Sequence, residues 1–196
     1  MKVDILFKCS KCGETHIINK DDEIDLTDDK SLLNTILDDS FFTHQCSNCK
    51  EYSVIEFPFI IKDDKFNYFY KLNPTNERLF LLKDNEDREI RLVSTLNELK
   101  EKVRIKYYRL NDHIVDYIKK LIKEDIENNN DVVIEEIYFT KYEDEKLQFV
   151  LFDKDNYLGA MYYDKKGYIK QFNKLKNQID KNLQIVNLKT IEYLKK

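Results

Sequence analysis

Four cysteines stand in two pairs of identical spacing, Cys9-x2-Cys12 and Cys46-x2-Cys49, with 33 residues between the pairs. Two intervening residues let both sulfurs of a pair turn toward one ion, and two such turns complete a tetrahedron of thiolates. That donor set is closed and leaves no position for water or substrate. The ion it suits is zinc, in a structural role. Gly13, after the first pair, is the residue a left-handed backbone turn favours, and Lys50 holds the matching place after the second at a modest steric cost. The competing chemistry is thiol redox, which a CxxC pair at a helix N-terminus supports. Here both pairs lie between strand-like segments and come in twos, which favours a metal.

Other residues with chemical potential form no constellation. His16 and His44 lie near the pairs and could each replace a cysteine, but four sulfurs already suffice, so they read as strand histidines beside the site. His113 follows a helix cap and reads as a surface or capping-region residue. With no nucleophile set against a histidine, neither a Ser-His-Asp nor a Cys-His arrangement can be assembled, and no catalytic residue is nominated. The acidic run Asp21-Asp22-Glu23-Ile24-Asp25, continued by Asp28-Asp29, lacks the glycine and terminal glutamate of a calcium loop and reads as a solvated loop.

The cysteine turns need rigid flanks, and the surrounding pattern supplies them. Residues 2–8 alternate with Val3, Ile5 and Phe7 on one face, and 15–19 form the returning strand. Asp28 and Asp29 are candidate caps for a helix through 31–39, where Leu32, Leu33, Ile36 and Leu37 make an apolar stripe. Residues 52–61 read as one strand, with Pro58 marking an edge or an end. Short strands are expected over 67–72, 77–84 and 88–93. Thr95 and Glu98 have capping-box spacing ahead of a helix, and a second helix starts near Asn111 or Asp112 with Ile114, Ile118, Leu121, Ile122 and Ile126 inward. Three strands follow, over 132–142, 146–153 and 157–164, then a turn at Lys165-Lys166-Gly167 and a helix burying Ile169, Phe172, Leu175 and Ile179. A last strand is expected over 183–194. The order predicts an α+β chain: a zinc-ribbon-like β unit with a helical insert over 1–74, then an α+β layer over 75–196.

With these elements in view, the chain resembles the CpXC protein family of bacteria, whose members carry two Cys-Pro-x-Cys knuckles near the N-terminus. The likeness includes the acidic interval and helix, the FF-x3-C approach to the second knuckle, and the aromatic strands after it. It extends to IRLVSTLNELKEKVRI, LNDHIVDYIKKLI and DVVIEEIYF…KLQFVLFD, and so to nearly the whole chain. Ser10 and Ser47 stand where the family has its two prolines, and Lys50 stands where a glycine is usual. The resemblance implies zinc binding at the four cysteines and supplies no substrate.

Composition bounds the function classes. Thirteen Tyr and twelve Phe give enough bulk for a core despite 36% charged residues. The N-terminus meets charge and cysteine too soon for a signal peptide, and no apolar run is long enough to span a membrane. A cytoplasmic location is expected, where thiols stay reduced. Residues 1–58 carry six Lys against twelve Asp and Glu, a balance of −6, whereas 165–196 carry nine Lys against Asp180 and Glu192, a balance of +7. With the metal site closed, no catalytic constellation and aromatic-rich strands offering a contact surface, the favoured partner is another protein. Nucleic acid is the alternative, suggested by the tail helix mixing Lys with Tyr168 and Phe172 and disfavoured by the acidic N-terminal half. An enzyme with an unrecognised C-terminal site is the second alternative.

Overall fold

The alternation at the N-terminus builds an antiparallel hairpin, β1 (Lys2–Lys8) with β2 (Thr15–Asp21), in which Phe7 lies opposite His16 and Leu6 opposite Ile17. The computed structural model describes residues 2–74, 88–129, 132–188 and 190–194. They form an α+β protein in two compact units, Met1–Lys100 and Glu101–Lys196.

In the first unit, β3 (Glu23–Asp25) and α1 (Leu33–Leu37) separate the first hairpin from a second, β4 (Thr43–Gln45) with β5 (Tyr52–Val54). The acidic run is thus only partly a loop. Glu23 and Asp25 flank the buried Ile24 in a strand parallel to β6 (Phe59–Asp63), and Lys62 of β6 reaches them at 2.7 and 3.5 Å. The helix is shorter than expected, because Asp29 spends its carboxylate on the Ser31 amide in a local turn and does not cap a helix. Likewise 52–61 is two strands. Residues 55–58 leave the ladder before Pro58, and β6 joins a different sheet, ordered β3-β6-β7-β8 with β7 (Tyr68–Leu72) and β8 (Glu89–Val93). The strand expected over 77–84 lies outside the described residues. Helix α2 (Leu96–Tyr107) opens with the expected capping box: the Glu98 amide donates to Thr95 Oγ1 at 3.2 Å and the Thr95 amide to Glu98 Oε2 at 3.4 Å, with the Ser94 amide reaching the same oxygen at 2.7 Å.

In the second unit, the Ile114 amide donates to Asn111 Oδ1 at the start of α3 (Asp112–Asn129). A meander follows, β9 (Glu136–Glu143), β10 (Lys146–Asp153) and β11 (Asn156–Asp164), ordered β11-β10-β9. Period-two alternation puts Ile137, Phe139, Leu147, Phe149 and Leu151 on the buried face, clustered with Ile114, Val115, Ile118 and Ile122 of α3. Helix α4 (Lys165–Leu175) begins where a turn was expected, because Asp164 accepts the Gly167 amide at 2.7 Å and caps it directly after β11. The described residues of 183–194 form no strand. Val186, Ile191 and Leu194 are buried from turns and a short 3-10 helix, so core contact there is made without a ladder.

Between α2 and α3 lies a charged interior. Lys102 Nζ sits 2.6 Å from Asp116 and 3.3 Å from Asp112, and Lys119 Nζ sits 2.7 Å from Asp116 and 2.8 Å from Glu101, all nearly excluded from solvent. The free side of Glu101 accepts the Phe139 amide at 2.6 Å, fastening the helices to the meander. Burial works against both ammonium groups, yet the surrounding carboxylates outweigh it and hold Lys102 and Lys119 above the usual lysine range. Burial pushes the Glu101 carboxyl up, against the pull of Lys119.

Candidate metal centre

Each cysteine pair occupies the turn of one hairpin: Cys9 and Cys12 between β1 and β2, Cys46 and Cys49 between β4 and β5. The two turns repeat one backbone scheme. In the first, the Cys9 amide donates to the Glu14 carbonyl at 2.8 Å and the Gly13 amide to the Cys9 carbonyl at 2.9 Å. In the second, the Cys46 amide donates to the Glu51 carbonyl at 2.8 Å and the Lys50 amide to the Cys46 carbonyl at 3.0 Å. Gly13 and Lys50 occupy equivalent left-handed positions, with φ of 75° and 62°. With Ser10 and Ser47 inside them, the two turns share this backbone scheme.

The hairpins bring all four thiols together. Cys9 Sγ lies 3.5 Å from Cys49 Sγ, Cys12 Sγ lies 3.7 Å from Cys46 Sγ, and all four sulfurs fall within 4.8 Å of one another. Tetrahedral coordination with metal–sulfur bonds of about 2.3 Å separates sulfurs by about 3.8 Å, so the cluster has the size such an ion requires. Cys9 and Cys46 are buried, and Cys12 reaches the surface. The Glu14 amide and the neighbouring thiols lower the Cys12 thiol to about 7. At Cys49 the Glu51 amide pulls down, but burial and the other three sulfurs outweigh it, and the thiol is pushed up to about 12. Four thiols this close cannot all ionise without a cation among them. The cluster can hold a metal ion.

A family model described as CpXC protein matches residues 7–119, more than half of the chain. The chain belongs to the CpXC family. No curated protein and no solved structure matches it. The CpXC knuckles are further tied by Lys11, which reaches across from the first turn to Glu51 after the second at 2.7 Å.

The histidines next to the CpXC cysteines stay outside the cluster. His16 and His44 meet each other, Nε2 to Nε2 at 2.8 Å, with the Phe7 ring against both, and so join the two hairpins. His113 is not at the surface. It is buried in α3, and its Nδ1 lies 2.6 Å from the Tyr193 hydroxyl. The tail-helix aromatics Tyr168 and Phe172 stack at 6.4 Å and pack against the apolar core, with the Tyr168 hydroxyl accepting the Asn111 amide at 2.8 Å. Among the described residues no helix is long and apolar enough to cross a membrane. The buried ion pairs went unforeseen. Their signal in the sequence was the i, i+3 spacing of Asp116 and Lys119 inside a helix whose flanking residues Val115, Tyr117 and Ile118 are all apolar.

Proposed function

We propose that this CpXC protein holds one structural zinc ion through Cys9, Cys12, Cys46 and Cys49, and that the clamped hairpins belong to a cytoplasmic module that binds another protein. The observation that supports the zinc reading is the four-sulfur cluster itself, sized for tetrahedral thiolate coordination. A filled d10 shell imposes no geometry of its own, and thiolates select soft or borderline ions. Such a site is saturated by protein and has no open position for chemistry, which leaves binding as the role for the surfaces it fixes. Cross-strand neighbours Leu6 and Ile17 are 74% and 69% exposed on one hairpin, and Tyr52 and Val54 are 66% and 53% exposed on the other. Large apolar side chains left in water on small hairpins are what an interaction surface requires.

Elemental analysis of the native protein tests the first half. One zinc per chain is expected, lost in Cys9→Ser and Cys46→Ser. A different metal, or markedly less than one zinc per four thiolates, overturns it. For the second half, cross-linking in zinc-replete cells is expected to trap a discrete protein partner, and its absence removes the binding reading.

A further inference from the structure

The meander has two edges of opposite character. The β9 edge carries Glu136, Lys141 and Glu143, charges of the kind that deter a stray strand from pairing. The β11 edge carries one only at its last residue, Asp164, which caps α4: from Tyr157 to Tyr163 it has neither a charge nor a proline, and Tyr157, Leu158, Met161 and Tyr162 are exposed. Among the described residues β11 pairs only with β10, so one side of a nine-residue strand lacks a neighbour. Immediately beside this edge is a cavity of about 480 Å³, lined by Met161, Tyr162 and Tyr163 and by Leu121 of α3. Glu124 and Asp125 of α3 also line it. Lys120 lies 3.9 Å from Glu124, and Asp125 is exposed.

A strand added to such an edge gains main-chain hydrogen bonds, and its alternate side chains enter whatever pocket lies beneath. Here that pocket has an apolar and aromatic wall and carboxylates at its lining. We infer that β11 is a docking edge for an extended segment of a partner protein in which basic and apolar residues alternate, the basic row seated between β11 and α3 beside Glu124 and Asp125 and the apolar row on the opposite face of the sheet, where Tyr157 and Tyr162 are exposed. This rests on the protein-binding reading above and names the partner's chemistry. Charge complementarity selects this occupant over a second copy of the chain, because a second β11 edge offers no basic residue from Tyr157 to Tyr163 to meet Glu124 and Asp125.

The test uses the full zinc-loaded chain and two fluorescein-labelled nonapeptides with blocked ends, one alternating Lys with Val and one alternating Glu with Val. The Lys–Val peptide is expected to bind, to slow amide exchange in β11, and to bind at least tenfold more tightly than the Glu–Val peptide. Glu124→Lys/Asp125→Lys is expected to weaken it at least tenfold, and so is Leu158→Lys, which places a charge on the edge. Circular dichroism should match wild type for both variants. Protection away from β11, indifference to both variants, or a dimer whose β11 amides are protected without peptide overturns the proposal. If wild type and Glu124→Lys/Asp125→Lys trap the same cellular partner equally, the docking edge is wrong and the binding reading stands. If neither traps one, both fall.

Discussion

The knuckle hairpins and the C-terminal meander solve the same problem by different means. Around the knuckles the buried cluster is Phe7, Cys9, Ile18 and Cys46, so half of it is sulfur, and two-stranded hairpins of this size are marginal alone. The second unit buries sixteen of its described residues in one apolar cluster and sets an ion-pair lattice beside it. One region has the donors for a metal in place of a core, and the other has a core sufficient in itself. What removes the metal should therefore separate them.

The largest effect expected is from chelation, or from Cys46→Ser. Apparent binding energies of structural zinc run to about 10–16 kcal/mol, far more than four buried residues supply. Amide protection should vanish in β1, β2, β4 and β5 while β9–β11 keep theirs, read by hydrogen exchange. Equal protection before and after would remove the distinction. The converse experiment strikes the other unit. Asp116→Ala leaves Lys102 and Lys119 buried without their shared carboxylate and should cost about 3–5 kcal/mol in denaturant unfolding of the C-terminal unit. Metal content should not change.

Acid should weaken the metal affinity of the knuckles. A metal displaces each proton still held by a ligand, and every displaced proton makes affinity fall about tenfold per pH unit of acidification. In the metal-free chain Cys49, pushed up to about 12, is protonated throughout the neutral range, whereas Cys12, lowered to about 7, sheds its proton above that point. The slope of log affinity against pH should therefore steepen by one as pH falls through about 7. A competition titration with a chromogenic chelator measures it, and a constant slope from pH 8 to 6 would show that Cys12 is not the early-ionising ligand.

The same contrast explains what could be read from the sequence. The knuckles were legible because ligand, turn and flanking strand lie within a few residues of each other, and β9, β10 and α3 because their apolar periods are clean. The pairing of β3 with β6 was not, since a parallel ladder across 33 intervening residues leaves no local trace. Lys102, Asp116 and Lys119 were hidden because charged residues read as exterior until their partners are placed, and the partners of Lys102 lie on another helix. Residues 183–194 have strand-like composition, but Val186, Ile191 and Leu194 reach the core from turns. Apolar alternation reports burial, and only a neighbouring strand turns burial into a ladder.

The smallest effect lies within the metal centre, between its two turns. Gly13 and Lys50 hold the same left-handed backbone, but only Lys50 carries a side chain there, a strain of about 1 kcal/mol for an L-residue. Lys50→Gly relieves it, at the cost of an exposed bond from Lys50 Nζ to the Ser47 carbonyl and of added freedom in the unfolded chain. The net gain should be about 0.5 kcal/mol, seen as a slightly higher melting temperature of the metal-loaded hairpins. Gly13→Ala should lose about 1 kcal/mol from backbone strain alone, since a Cβ at Gly13 would meet nothing within 4 Å. The double variant should then fall near wild type, because exchanging the strained position from one equivalent turn to the other leaves the sum almost unchanged. A double variant far less stable than the two singles predict would mean that the turns are not equivalent and that the Lys50 side chain holds the second one in shape.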